Sequence, residues 1–280
     1  MNIGIIGLGL IGGSMAKAIK ENTDHQVFGY DMQESVVKRA LLVEAIDGPL
    51  DPAELGKCQL ILIALYPQDT LDFLEENQKV IGKDAVVVDC CGVKQAVCGK
   101  AEEIAAGNGF VFMGGHPMAG LAHGGFGHAK KGLFKNASMI LTPARGTRIE
   151  TVQKVKNFFT SLGFTDTRIT TPREHDQIIA FTSQLAHVVS SAYIQSPTAI
   201  SHKGFSAGSY KDMTRVAKLN EEMWTELFLD NDEFLAEEID MLAEKLKEFS
   251  DAIKSHDSAK LCQMLRKGRE AKLLIDGERF

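Results

Sequence analysis

The sequence predicts a doubly wound, parallel α/β sheet in the N-terminal part of the chain and an all-helical part after it. Three observations support this prediction. A glycine-rich turn follows an apolar run at the N-terminus, short strand-like runs alternate with helical patterns up to residue 169, and only helical patterns follow. Strands and helices that alternate across short links are typical of parallel sheets. We therefore predict a first domain over residues 1–168 and a helical domain over residues 169–280.

The N-terminal turn has the spacing G-x-G-x-x-G, with its glycines at Gly7, Gly9 and Gly12. Gly7 permits a tight turn out of the strand, Gly9 leaves room for a pyrophosphate, and Gly12 lets a helix lie close to the sheet. Leu10 and Ile11 complete the loop, where free N–H groups meet the positive end of a helix. The pattern predicts a Rossmann dinucleotide-binding domain.

One acidic residue, Asp31, follows the second apolar run at residues 26–30. Its carboxylate is expected to accept hydrogen bonds from the adenosine ribose and to repel a 2′-phosphate. The predicted cofactor is therefore NAD rather than NADP. A glycine-rich turn in an α/β protein that binds no dinucleotide is the alternative explanation.

Composition excludes several functional classes. The net charge of −6 argues against a nucleic-acid or membrane-surface partner, and no apolar run approaches the ~20 residues of a membrane span. Five cysteines without a C-x-x-C pattern indicate neither a disulfide framework nor a zinc site. The spacing of His116, His123 and His128 matches no metal-ligand pattern, so no metal is predicted. Because the apolar N-terminus also lacks a basic leader, we expect a cytoplasmic protein.

Hydrophobic periodicity predicts the remaining elements. Further strands are predicted at residues 59–64, 85–89, 110–113, 138–142 and 164–169. Helices are predicted at residues 67–80, 94–106, 148–162, 172–195, 211–218, 232–254 and 258–275. In the helix 232–254, apolar residues recur at spacings of four and three, at Leu235, Ile239, Leu242, Leu246, Phe249 and Ile253. This seam of coiled-coil type is explained equally well by packing inside the helical domain and by burial against a second subunit.

A glycine-flanked histidine, His116, follows the strand-like run 110–113 in the sequence G-G-H-P-M-A-G. The glycines allow backbone and ligand to approach closely, and Pro117 stiffens the turn. In open α/β sheets, ligands lie beyond the carboxyl ends of the strands. A histidine fixed there can take a proton from a substrate hydroxyl at neutral pH, so we predict that His116 acts as a general base.

Two polar patterns in the helical part predict further site residues. Gln184, His187 and Ser191 are spaced to share one helix face, although His187 is also explained as a core histidine with a satisfied hydrogen bond. Asp212 and Arg215 are spaced i, i+3. They are either an ordinary surface pair, or Asp212 orients Arg215 to bind a substrate carboxylate, and the spacing does not decide between these.

Together these motifs resemble the prephenate/arogenate dehydrogenase family of tyrosine biosynthesis. The resemblance covers nearly the whole chain and is carried by residues 7–14, 89–94, 115–120, 184–187, 210–215 and 222–224. It implies an oxidative decarboxylation in which NAD accepts a hydride from the ring carbon that carries the hydroxyl. CO2 then leaves, the ring becomes aromatic, and prephenate is converted into 4-hydroxyphenylpyruvate.

The resemblance also implies roles for individual residues. His116 would hold the ring hydroxyl and accept its proton, Arg215 would bind a substrate carboxylate, His187 would line the pocket, and Asp212 would support Arg215. The family's helical domain forms a homodimer, which suits the apolar seam. The substrate is a dianion and the chain is acidic, so positive charge must be placed locally, and Lys94 is a second candidate for that charge.

Three positions depart from the family pattern, and the two that touch substrate contacts, Gly92 and Ala122, leave the substrate open between prephenate and arogenate. Gly92 stands where a serine is common, Ala122 where an acid is common, and Ala186 where a proline is common. Two other functions compete with the family's. A β-hydroxyacid dehydrogenase or imine reductase predicts a catalytic lysine in the helical domain, and an NAD-binding sensor predicts binding without turnover.

Overall fold

The computed structural model describes residues 1–121 and 123–277, so Ala122, one of the departures above, lies outside the described residues. The described residues include eight strands, with these bounds: β1 Asn2–Ile6, β2 Gln26–Tyr30, β3 Gly48–Pro49, β4 Leu60–Ile63, β5 Val86–Asp89, β6 Val111–Pro117, β7 Ser138–Pro143 and β8 Asp166–Ile169. They form one sheet in the order β3-β2-β1-β4-β5-β6-β7-β8. The predicted strands are present, with ends that differ by a few residues.

Helices cover the connections and the rest of the chain. Their bounds are α1 Leu10–Asn22, α2 Glu34–Leu42, α3 Pro67–Asn77, α4 Gln95–Asn108, α5 Ile149–Ser161, α6 Pro172–Ile179, α7 Leu185–Ile194, α8 Gly208–Thr214, α9 Glu221–Leu229, α10 Asp232–Lys254 and α11 Ser258–Asp276. The predicted helix 172–195 is interrupted by a π-helical turn, Ala180–Gln184. The sequence did not indicate α2 or α9, since each buries a single residue, Ala40 and Leu227 respectively.

The predicted parallel sheet is confirmed, with one exception. Strands β6 and β7 pair antiparallel, from Met113 opposite Pro143 to Pro117 opposite Met139, whereas the other neighbouring pairs are parallel. A parallel pair needs a crossover connection, usually a helix. Among the described residues of the link 118–137, the regular structure is a short 3-10 turn at Phe126–His128. Without a crossover helix, β7 runs back beside β6 in the opposite direction.

The sheet is buried on both faces, as expected of a doubly wound fold. Alternate residues of β4 face opposite sides: Leu60 and Leu62 belong to one core cluster, and Ile61 and Ile63 to the other. All four are nearly inaccessible to solvent. The run 60–63 is continuously hydrophobic because β4 is a central strand whose two faces are both buried.

Gly12 packs tightly against the glycine turn. A Cβ atom at this position would lie 1.9 Å from the carbonyl oxygen of Gly7, so helix and turn would have to separate. We expect Gly12→Ala to lower the free energy of unfolding by about 1–3 kcal/mol, as overpacking does. Gly9→Ala is the matched control, because a Cβ there has no heavy atom within 4 Å. Urea denaturation would measure both, and equal stabilities would contradict the packing explanation.

By its contacts the chain divides into two compact units, Met1–Asp232 and the part from Glu233 onward. The predicted domain boundary at residues 168 and 169 stays a prediction. In the second unit, Leu235 of the apolar seam is buried, whereas Leu246 and Ile253 are exposed. Among the described residues, no helix has the length and apolar character needed to span a membrane.

Candidate active site

The predicted site residues of the sheet meet at one edge. Strands β1, β4, β5 and β6 are parallel neighbours, so their carboxyl ends lie side by side. Gly7 follows β1, Asp89 ends β5, and His116 is the penultimate residue of β6. The glycine turn, the acidic strand end and the predicted base therefore share the edge at which such sheets bind ligands.

The glycine turn has the geometry of a phosphate-binding loop. Gly7 has a φ of +84°, in the left-handed region that favours glycine, and a Cβ there would lie 2.6 Å from the carbonyl oxygen of Ala64. Gly9 caps α1 without a side-chain hydrogen bond, and open space surrounds the position of its absent Cβ. The first N–H groups of α1 are thus accessible, and these residues fit the pyrophosphate of a dinucleotide.

Asp31 is held beside this turn. Its Oδ2 accepts a hydrogen bond from the backbone N–H of Leu8 at 2.9 Å, and its Oδ1 accepts one from Gln33 at 3.0 Å. The side chain remains partly accessible. A fixed, accessible carboxylate at the end of β2 fits the ribose contact that the sequence predicted.

His116 belongs to a hydrogen-bonded chain of three side chains. Its Nδ1 lies 2.8 Å from Nε2 of His175, and Nδ1 of His175 lies 2.6 Å from Oδ1 of Asp176. His175 and Asp176 are buried, whereas His116 is partly accessible. Asp176 also accepts the backbone N–H groups of Lys94 and Gln95, both at 2.8 Å, and so caps α4. Sequence reasoning located the start of α6 but missed His175 and Asp176.

The surroundings keep both histidine rings neutral. Burial, followed by the nearby His175 and the ammonium of Lys94, holds the pKa of His116 well below its usual range. Burial also lowers the pKa of His175, although its hydrogen bond to Asp176 opposes this. At neutral pH His116 is therefore in the unprotonated form that a general base requires.

These shifts predict a pH-dependent stability. Because the pKa values of His116 and His175 are lower in the folded than in the unfolded state, the unfolded chain binds more protons as the pH falls below about 6.5. We expect each ring to cost up to about 1.4 kcal/mol per pH unit there. Urea midpoints at pH 7.5 and 5.5 would show the loss, and the variant His116→Gln/His175→Gln should lose less. An equal loss in the variant would contradict this assignment.

Lys94 was predicted as a candidate for binding the dianionic substrate, and this prediction is wrong. Its side chain is fully buried and forms an ion pair with the equally buried Asp89. Burial favours the neutral amine, but Asp89 outweighs it and raises the pKa of Lys94. Asp89 also accepts the backbone N–H groups of Gly115 at 3.0 Å and Cys91 at 2.9 Å. The pair therefore ties β5 to β6 and has no free charge for a ligand.

The glycines before His116 serve packing rather than ligand approach. A Cβ at Gly114 would lie 2.1 Å from Oγ1 of Thr142, and one at Gly115 would lie 2.5 Å from the carbonyl oxygen of Asp89. Strand β6 is therefore pressed between its two neighbours. The sequence indicated the need for glycine here but attributed it to the approach of a ligand.

The predicted polar face of Gln184, His187 and Ser191 divides in the structure. Gln184 is buried, and its Nε2 donates to the carbonyl oxygen of Leu227 at 2.8 Å. His187 is half-buried, with its Nδ1 2.9 Å from the carbonyl oxygen of Ser183. Gln184 thus belongs to the core, and the role of His187 as a site residue stays a prediction.

His187 stacks on Trp224, with ring centroids 3.9 Å apart. Burial lowers the pKa of His187, and the positive charge of nearby Arg215 lowers it further. Arg215 and Asp212 are both exposed, and no ion pair within 4.0 Å joins these two described side chains. The structure therefore places Arg215 near His187 and does not pair it with Asp212.

Two family models match this chain. One is the nucleotide-binding domain of prephenate dehydrogenase, over residues 15–165, and the other is the dimerization domain of prephenate dehydrogenase, over residues 171–267. The chain belongs to the prephenate dehydrogenase family. This assignment confirms the resemblance seen in the sequence and favours it over the β-hydroxyacid dehydrogenase alternative.

Individual relatives agree. The chain is 29% identical over 277 residues to prephenate dehydrogenase of Bacillus subtilis, covering 95% of this chain and 74% of that protein. It is 27% identical over 283 residues to cyclohexadienyl dehydrogenase of Zymomonas mobilis, covering 98% and 96%. Among solved structures, arogenate dehydrogenase of Synechocystis matches with a TM-score of 0.82 and 28% identity, over 97% of this chain and 99% of that one.

A further solved relative bears on the cofactor. Prephenate dehydrogenase of A. aeolicus, in complex with hydroxyphenyl propionate and NAD+, matches with a TM-score of 0.87 and 25% identity, over 98% of each chain. Together with the nucleotide-binding family model and the geometry around Gly9 and Asp31, this confirms the predictions of an oxidoreductase and of NAD as its cofactor.

Proposed function

We propose that this member of the prephenate dehydrogenase family catalyses the NAD-dependent oxidative decarboxylation of prephenate to 4-hydroxyphenylpyruvate in tyrosine biosynthesis. The observation that carries the proposal is His116. It is partly accessible and neutral at pH 7, and it lies at the same sheet edge as the nucleotide-binding turn. A neutral histidine at that edge can accept the proton of the ring hydroxyl.

The proposed reaction needs a single base, His116, in addition to NAD. When bound, NAD supplies the hydride acceptor for the ring carbon that carries the hydroxyl. His116 takes the hydroxyl proton as the O–H bond breaks, which leaves a ring ketone. Loss of CO2 returns an electron pair to the ring, and His116 gives the proton back to the phenolate oxygen. Aromatisation drives the reaction, so the protein mainly positions the reacting groups.

The substrate carboxylates need a cation other than Lys94, and we assign this role to Arg215. Arg215 is exposed, and its positive charge lowers the pKa of nearby His187. The ring of His187 stacks on Trp224. A planar guanidinium binds a carboxylate through two parallel hydrogen bonds. His187 would line the same pocket, and the support of Arg215 by Asp212 stays a prediction.

Gly92 bears on the choice of substrate. A Cβ at this position would lie 3.3 Å from Cδ2 of Leu227, so a serine would need Leu227 to shift by a few tenths of an ångström. The hydroxyl that a serine would offer to the substrate is absent here. Since relatives of this chain are named for prephenate, cyclohexadienyl and arogenate dehydrogenase, arogenate is the second candidate substrate.

We further propose a cytoplasmic homodimer. A dimerization-domain model matches residues 171–267, and α10 leaves Leu246 and Ile253, two residues of its apolar seam, more than half exposed. A second copy would cover them. All five cysteines are free, which suits a reducing compartment.

NADH formation tests the proposed function. Purified protein would be mixed with NAD and prephenate, and separately with NAD and arogenate, and the absorbance of reduced nicotinamide would be followed. A faster signal with prephenate is expected, whereas a faster signal with arogenate would reassign the substrate. If neither gave a signal although NAD binds, the chain would be a sensor and the proposal would be wrong.

A further inference from the structure

We propose that His175 and Asp176 are positioning residues that fix the tautomer of His116, so that Nε2 of His116 is the atom that accepts the substrate proton. The inference rests on the proposed function, in which His116 is the general base. It adds which nitrogen of His116 reacts and which groups determine that choice.

The carboxylate of Asp176 determines the tautomer of both histidines in the hydrogen-bonded series that runs from Asp176 through His175 to His116. An ionised carboxylate only accepts hydrogen bonds, so Nδ1 of His175, 2.6 Å from Oδ1 of Asp176, must carry a proton. In a neutral imidazole the other nitrogen then has a lone pair. Nε2 of His175 therefore accepts, and Nδ1 of His116, 2.8 Å away, must donate. The unprotonated nitrogen of His116 is consequently Nε2.

The carboxylate of Asp176, at the start of the hydrogen-bonded series, accepts hydrogen bonds from several donors. Its oxygens accept two backbone N–H groups at the N-terminus of α4 in addition to the hydrogen bond from His175. Hydrogen bonds to a carboxylate and the positive end of a helix both favour the charged form. Asp176 is fully buried, so water does not compete for these contacts.

The same arrangement supports the charge that forms during the reaction. With the substrate proton on Nε2, His116 becomes an imidazolium whose Nδ1–H still donates to His175, and the carboxylate of Asp176 lies at the far end. The ammonium of Lys94 opposes a positive charge on His116, and it forms an ion pair with Asp89. Asp176 thus places a negative charge at the far end of the hydrogen-bonded series, where it favours the imidazolium.

Variants of His175 test the inference. His175→Phe removes the acceptor for Nδ1–H of His116, and we expect kcat to fall about 10²-fold while KM changes less than threefold. His175→Gln restores a carbonyl acceptor and should recover part of kcat. Gln177→Ala, an exposed change on the same helix α6, is the matched control and should leave kcat unchanged. Thermal denaturation would confirm that each variant is folded.

Nitrogen-15 NMR of imidazole-labelled protein gives a readout that does not depend on turnover. Signals of His116 are assigned by their loss in His116→Gln. Above the pKa of the ring we expect a protonated Nδ1 and an unprotonated Nε2 in the wild type, and a shift towards protonated Nε2 in His175→Phe. A wild-type ring protonated at Nε2, or a His175→Phe variant with wild-type kcat, would overturn the inference. Absence of turnover with both substrates would instead overturn the proposed function, and the NMR spectra would still decide the tautomer.

Discussion

Replacing His116 by glutamine is expected to lower kcat for NADH formation by about 10³-fold, within the range that a positioned general base contributes. Glutamine keeps polarity and a similar volume but has no nitrogen that accepts a proton near neutral pH. The affinity for NAD should change less than about twofold, because the predicted nucleotide contacts lie at Gly7, Gly9 and Asp31. Stopped-flow or steady-state absorbance of reduced nicotinamide measures kcat, and fluorescence titration measures NAD binding.

The pH profile separates loss of a base from loss of structure. In the wild type, log kcat/KM should stay level through neutrality and fall only below the usual histidine range, because burial, His175 and Lys94 lower the pKa of His116. The residual activity of His116→Gln should lack this acidic limb. His256→Gln, a change at an exposed position far along the chain, is the control and should keep the wild-type profile. A His116→Gln variant with wild-type kcat would remove His116 from the mechanism.

Local patterns predicted the fold well because the decisive interactions are local. The strand, the glycine turn and the helix of residues 2–22 follow each other directly, and Gly7 and Gly12 are needed for contacts within that unit. The start of α6 is also local, since Oγ1 of Thr171 accepts the backbone N–H of Glu174. The antiparallel pairing of β7 was not predicted, although the sequence indicates no helix between residues 113 and 138 that could form a parallel crossover.

The candidate site was predicted only in part, because its groups are paired by the fold. His116 and His175 are 59 positions apart, and no spacing rule connects them. Lys94 follows a strand end in the sequence, where an exposed cation would bind a ligand, but its burial depends on Asp89 and on the strand beside it. Gln184 fits a polar helix face by spacing, yet the π-helical turn at Ala180–Gln184 and the carbonyl of Leu227 direct it into the core.

Lys94→Met is expected to lower the free energy of unfolding by about 3–5 kcal/mol, the usual cost of breaking a buried ion pair from one side. Methionine fills most of the space of the lysine stem, so the main effect is an uncompensated carboxylate. Asp89 would keep the backbone N–H groups of Cys91 and Gly115 but lose its only described cationic partner. Urea denaturation at pH 7 measures the loss.

Two further variants show whether charge is the cause. Asp89→Asn/Lys94→Met removes both charges and should be more stable than Lys94→Met, although asparagine has one acceptor oxygen for two N–H groups. Lys100→Met breaks an exposed ion pair with Glu75, whose N–O distance is 3.2 Å, and should cost less than about 1 kcal/mol. If Lys94→Met cost no more than Lys100→Met, the ammonium of Lys94 would be accessible to water in solution. Lys94 would then again be a candidate for the cation that binds the substrate, and its ion pair with Asp89 would not stabilise the contact between β5 and β6.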